Sequence, residues 1–137
     1  MQKIPLESKT KNKWNLFLLK NGPRSGLFLN SWQWGEFQSK VGNTVDQYIF
    51  EKNGVWRGVS NIVYKKLKLF GDYCYVPRGP VCVKFSYVKE ILDLIIKDNW
   101  FVRFDHSFTN KLKFPGLYKT THVQPSKTII TNLSKTE

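Results

Sequence analysis

Arg78 is the side chain whose neighbours best suit it to hold an anion. It lies in the run Tyr75-Val76-Pro77-Arg78-Gly79-Pro80. Its guanidinium is a planar fork of donors that matches a carboxylate or a phosphate. Gly79 lets a ligand approach the backbone. Pro77 and Pro80 stiffen the loop and limit the entropy lost when a ligand orders it. Asp105 is the second candidate. It ends the run Trp100 to Asp105, on the face of Phe101, Arg103 and Asp105 and opposite Trp100, Val102 and Phe104, as the two-residue period of a strand requires. Arg78 and Asp105 read either as two sides of one ligand rim or as a structural salt bridge across a sheet end, and the two readings are compatible.

No nucleophile accompanies this rim. The chain has no G-x-S-x-G elbow, no phosphate-binding P-loop, no G-x-G-x-x-G turn and no H-E-x-x-H pair. Asp105 and Glu36 make an acid–base pair only if the fold joins them. His106 and His122 have no evident partner. A zinc site would need Cys74, Cys82, His106 and His122 together, and their spacings match no common finger, so no metal is expected. Two cysteines are few for a fold stapled by disulfides, and Cys74, inside a strand-like run, reads as a buried thiol.

The elements that must position these residues follow from local signals. Residues 1–13 are polar and read as a flexible terminus. Trp14 to Leu19 reads as a short helix stopped by Asn21-Gly22-Pro23. Asn30 is a candidate helix cap answered by Gln33. Trp34, Phe37 and Val41 recur at helical spacing after it, and Gly42 ends the helix; both Trp32 and Trp34 can be packing residues. Residues 44–52 and 55–67 read as two strands around Asn53-Gly54, the strongest short hairpin signal, with Gly58 a candidate bulge. Gly71-Asp72 turns into the strand Tyr73 to Pro77. Val88, Ile91, Leu92 and Ile95 predict an amphipathic helix over 86–98, and Trp100 to Asp105 is the next strand. A strand–helix–strand unit implies parallel strands joined by a right-handed crossover. Ligands bind beyond the carboxyl ends of such strands, which is where Arg78 and Asp105 fall. Residues 106–120 read as a loop and His122 to Leu133 as an extended segment. Ser134 to Glu137 reads as a helix start, so the chain is expected to be cut from a longer protein.

The totals set outer bounds. A chain of 137 residues, 41% hydrophobic and 15% aromatic, is one domain with a real core. A net charge of +12 favours anionic partners or a solvated lysine-rich surface. No segment is long and apolar enough to span a bilayer, and the terminus has no apolar signal core. The expectation is a cytoplasmic domain, with surface contact with a membrane left open. A basic nucleic-acid-binding α/β module without catalysis, stacking exposed aromatics on bases, is the competing class.

Three segments in order resemble the FemA/FemB/FemX family of peptidoglycan interpeptide-bridge aminoacyltransferases. They are Phe28-Leu29-Asn30-Ser31-Trp32-Gln33-Trp34-Gly35-Glu36-Phe37-Gln38; Tyr75-Val76-Pro77-Arg78-Gly79-Pro80-Val81 with the following helix and Val102-Arg103-Phe104-Asp105; and Val123-Gln124-Pro125 with Thr128, Asn132 and Leu133. The resemblance implies an α/β (α+β) fold, a mixed β-sheet flanked by helices of the acyl-CoA N-acyltransferase (GNAT) type. Residues 14–137 would be the first of two such domains, C-terminally truncated. It implies transfer of an amino acid from aminoacyl-tRNA, the co-substrate, to the stem peptide of a peptidoglycan precursor, either UDP-MurNAc-pentapeptide or lipid II. No protein-bound cofactor is implied, and the tRNA would be held by the missing half. The implied setting is the cytoplasm, at the inner face of a bacterial plasma membrane. By position, the family's substrate contacts fall at Gln38, Trp100 and Asp105, to which the argument above adds Arg78. The chain departs from the family at His106, where proline is usual, and at Asn132, where aspartate is common. An acyl-CoA-dependent relative ranks low, because the Gly-rich turn that seats a pyrophosphate on a helix N-terminus is missing.

Overall fold

Asn53 and Gly54 take φ of 55° and 72°, the left-handed pair that matches the twist of a two-residue hairpin. The strands they join are β2 (Thr44–Lys52) and β3 (Val55–Leu67), with the bounds read from the sequence. The computed structural model describes residues 1–5, 10–23, 26–67, 71–105, 112–113, 115–121 and 123–124. The remaining elements are β1 (Gln2–Pro5), α1 (Lys11–Asn21), a 3₁₀ turn (Leu27–Asn30), α2 (Trp32–Lys40), β4 (Gly71–Val76), β5 (Val81–Cys82), α3 (Ser86–Lys97) and β6 (Val102–Phe104).

The sheet order is β1-β2-β3-β4-β6. Every pair is antiparallel except β4–β6, which is parallel, as the strand–helix–strand reading requires. β5 pairs with β3 at Gly58 and Val59, beyond the stretch that β4 occupies. A bulge at Arg57 shifts the β2–β3 register, because Phe50 faces Gly58 while Glu51 faces Trp56. It adjoins Gly58 as expected. Gly58 also lets α3 come close: an alanine Cβ there would stand 2.5 Å from Ile91 Cδ1.

The sheet buries both faces. Phe50, Ile62, Cys74 and Val76 pack against Val88, Ile91, Leu92 and Ile95 of α3, the four positions predicted from period 3.6. On the other face Ile49, Val59 and Val81 pack against Trp14 and Leu18 of α1 and Trp32 of α2. The fold class is therefore a mixed, mostly antiparallel sheet flanked by helices. Elements α1, β4, α3 and β6 differ from the expected bounds by one to three residues at their ends, where boundaries are least sharply defined.

Three local expectations are corrected. Residues 2–5, read as part of a flexible terminus, add a strand to the sheet edge. Ile4 packs on the α1–α2 side, and an edge strand tolerates Pro5. The cap of α2 is Ser31, not Asn30: the Ser31 hydroxyl accepts from Trp34 N at 3.1 Å. The buried face of α2 carries Trp32 and Gly35, whereas Phe37 and Val41 are each 55% exposed. The reason is what lies beneath. Gln47 sits so close that an alanine Cβ at Gly35 would be 2.6 Å from its Nε2, so the approach needs glycine rather than a large apolar stripe. The helix start read at Ser134 to Glu137, and nearly all of the extended segment read at His122 to Leu133, lie outside the described residues.

Candidate functional site

The carboxyl ends of β4 and β6 lie side by side, with Tyr75 paired to Arg103 and Val76 to Phe104. The ladder continues one step further, as Asp105 N donates to Val76 O at 3.2 Å. Asp105 is thereby fixed at the rim where the sequence placed it. Its carboxylate receives the phenol of Tyr75 at 2.7 Å, Oη to Oδ2. Burial, and then the acceptor carboxylate, drive the Tyr75 phenol upward from its ordinary pKa of 10.0, only partly countered by a hydrogen bond to Gln124. The phenol therefore stays protonated at neutral pH and serves as a donor. Arg103, opposite Tyr75, donates to the carbonyl of Thr121.

The loop after β4 is held by amides rather than by apolar packing alone. Asn30 is fully buried. Its Nδ2 donates to Pro77 O at 2.8 Å, and its backbone carbonyl accepts from Trp14 Nε1 at 2.8 Å. Asn61, buried in the middle of β3, donates to Leu29 O and Ser31 O at 3.1 and 3.0 Å and accepts from Gln47 Nε2 at 2.9 Å. These bonds tie the 3₁₀ turn and the start of α2 to the rim. Gly79 is packed into the same place: an alanine Cβ would meet Asn30 Oδ1 at 3.0 Å and Ser60 Oγ at 3.2 Å. Gly79–Pro80 is a cis peptide. Arg78 takes φ 48°, a left-handed conformation that costs a residue with a Cβ about 1–2 kcal/mol. Gly26 makes room for its stem, since a Cβ on Gly26 would lie 3.2 Å from Arg78 Cγ.

Gln38 and Trp100 are not part of this rim. Gln38 Oε1 accepts from Asn43 Nδ2 at 2.8 Å, and Asn43 Oδ1 accepts from Lys65 Nζ at 2.9 Å. Lys65 is paired with Tyr73, near the start of β4. Trp100 donates to Asp72 O at 2.6 Å; its ring packs at a tilt against Phe101, and Phe101 at a tilt against Tyr73, at centroid separations of 5.7 and 5.6 Å. Arg78 and Asp105 therefore lie at the carboxyl end of β4, whereas Gln38 and Trp100 are tied to residues near its start. With five residue steps between them, Trp100 and Asp105 are about 16 Å apart along an extended chain.

Among the described residues, the rim carries a cation and a carboxylate but no activated nucleophile. Arg78 offers charge-assisted donors to an anion, and the Asp105 carboxylate can accept from an amine or hydroxyl. Cys74 and Cys82 are free thiols whose pKa values burial pushes up to about 12, which leaves them protonated and unreactive. No group of His, Cys, Asp and Glu suited to a metal occurs among the described residues, and His106 and His122 lie outside them. No helix among the described residues is long and apolar enough to cross a membrane. Sequence reading missed Tyr75 as the orienting partner of Asp105, and it missed Asn61, whose only signal was an amide inside a β-branched run.

No family model matches the chain, and no curated protein matches it. Among solved structures, the crystal structure of FemX is similar at 27% identity with a TM-score of 0.52, covering 72% of this chain and 23% of FemX. The apo aminoglycoside antibiotic 6′-N-acetyltransferase of Acinetobacter haemolyticus is similar at 11% identity with a TM-score of 0.53, covering 93% of this chain and 100% of that enzyme. The chain has the acyltransferase-like fold that FemX and GNAT acetyltransferases share, and it spans under a quarter of FemX's length.

Proposed function

We propose that this chain is the precursor-binding part of a FemX-like aminoacyltransferase, which adds an amino acid from aminoacyl-tRNA to the stem peptide of a peptidoglycan precursor. The observation that carries this reading is the Tyr75–Asp105 hydrogen bond beside the Arg78 loop, in a chain 27% identical to FemX over most of its length. In this account Arg78 holds a phosphate or carboxylate of the muramyl-peptide precursor. Asp105, aimed by Tyr75, accepts from one of its hydroxyl or amine groups. Gln38 and Trp100 meet a more distant part of the same ligand, which is long enough to reach both ends of β4. The fold of the 6′-N-acetyltransferase supports transfer to an amine as the general chemistry. In this account aminoacyl-tRNA is the co-substrate, and no protein-bound cofactor takes part.

Calorimetric titration with UDP-MurNAc-pentapeptide tests the proposal, with UDP-N-acetylglucosamine as the control lacking the peptide. Saturable binding of the first and weaker binding of the second are expected; equal affinity for both would remove the peptide from the site. One observation favours a second reading, single-stranded nucleic-acid binding: Trp100 and Phe101 are 66% and 44% exposed on a chain of net charge +12, and exposed aromatics can stack on bases. A gel shift with single-stranded RNA that collapses with salt, without precursor binding, would select it.

A further inference from the structure

Helix α1 is apolar on two sides. It buries Trp14 and Leu18 against the sheet, yet Leu16 and Leu19 on its outer side are 66% and 72% exposed. An ordinary surface helix turns polar residues outward. Here the outward residues that accompany the leucines are Lys13 and Lys20, and the helix contains no Asp or Glu. An open groove of about 430 Å³ separates α1 from the hairpin tip and is lined by Leu16, Phe17, Val55, Trp56, Lys13 and Lys20, with no carboxylate among its lining residues. Val55 at the tip is 49% exposed. Lys13 Nζ lies 4.3 Å over the Trp56 ring, so its ammonium rests on the aromatic wall of the groove. The carboxylate nearest in register is Glu51, opposite Trp56, and Glu36 is engaged by Lys11 rather than by the groove lysines.

We infer that the outer side of α1 and the tip of the β2–β3 hairpin form a docking surface for a bilayer rich in anionic phospholipid. Two separate elements present aliphatic side chains with cations beside them. A soft anionic surface accepts both at once: the leucines and Val55 enter the boundary of the acyl chains, and the lysine heads reach the phosphates. The chain's net charge of +12 adds a longer-range attraction of the same sign. This surface is separate from the Tyr75–Asp105 rim, and its test uses no precursor.

The test is co-sedimentation of the full chain with vesicles of equal parts phosphatidylcholine and phosphatidylglycerol, and with pure phosphatidylcholine. Binding to the mixed vesicles only is expected. The exposed double variant Leu16→Ser/Leu19→Ser should lose about tenfold in partition, and Lys13→Gln/Lys20→Gln about the same. Lys66→Gln/Lys97→Gln, which removes as much charge from exposed lysines elsewhere, should partition close to wild type. The inference is overturned if wild type binds neither vesicle or both alike. It is equally overturned if the leucine variant binds like wild type, or if the two lysine variants lose equally. Sedimentation velocity covers the remaining occupant: a dimer that Leu16→Ser/Leu19→Ser dissociates would assign the face to a second copy of the chain and overturn the inference.

Discussion

The phenol of Tyr75 reaches across two parallel strands to the carboxylate of Asp105, at 2.7 Å. The two side chains sit on the same face because Tyr75 pairs with Arg103 and Asp105 follows two residues later. The bond aims a carboxylate at the rim that begins with Arg78. Tyr75→Phe removes the donor and keeps the ring. We expect a loss of about 1–2 kcal/mol in urea-induced unfolding, together with roughly tenfold weaker precursor binding as the carboxylate loses its orientation. Unchanged affinity would show that Tyr75 does not position Asp105 for the ligand.

Asn30 fastens the loop from behind. Truncating it to alanine deprives the Pro77 carbonyl of its donor at a fully buried position. A buried acceptor left unpaired costs about 1–3 kcal/mol, and Asn30→Ala should show a loss of that size in chemical denaturation. Asn30→Asp restores size but not the donor, so it should fail to recover the stability. Recovery by Asp would mean that shape, not the hydrogen bond, is what Asn30 contributes.

Gly35 opposes two effects. Alanine gains about 1 kcal/mol over glycine in a helix interior. At this position its Cβ would meet Gln47 Nε2 at 2.6 Å and Cδ at 2.9 Å, displacing the amide that bonds Asn61. The displaced partly buried hydrogen bond and the close contact outweigh propensity, and we expect Gly35→Ala to be net destabilising by about 1–2 kcal/mol. A rise in melting temperature would contradict the close contact between α2 and β2.

Alkaline pH should destabilise the chain. Burial pushes Cys74 and Cys82 up from 9.0 to about 12, pushes Tyr48 up to about 12, and drives Tyr64 and Tyr75 upward as well. Each group keeps its proton when folded and releases it at its ordinary value when unfolded. The stability they contribute is therefore complete below about pH 9 and is lost as pH rises toward 12, by up to about 1.4 kcal/mol per pH unit for a fully buried group. The urea midpoint should be flat near neutrality and fall above pH 9. Cys74→Ala should start lower, because it empties a buried site, but fall less steeply; identical slopes would contradict the assignment.

What the sequence made legible was what neighbours along the chain decide. Asn53-Gly54 fixes its own turn, and Val88, Ile91, Leu92 and Ile95 declare the buried stripe of α3 without reference to anything else. The rim was half legible: strand, helix and strand in succession place Arg78 and Asp105 at one end. Pairings across the fold were not. Asn30 looked like a cap because Asn favours caps, yet its partner is Pro77, 47 residues away. The stripe Trp34, Phe37 and Val41 looked like a core face, but the surface under α2 presents the amides of Gln47 and Asn61, which select Gly35. Gln38 and Trp100 came from resemblance by position, and their place at the far end of β4 depends on the strand register.

Calorimetric titration of wild type, Arg78→Ala and Asp105→Ala with UDP-MurNAc-pentapeptide measures most directly whether Arg78 and Asp105 bind a muramyl-peptide precursor. Saturable binding by wild type is expected, with a loss of about tenfold or more in each variant, as when a charge-assisted bond is removed. Wild-type affinity in both variants, or no binding by the wild type, would contradict it.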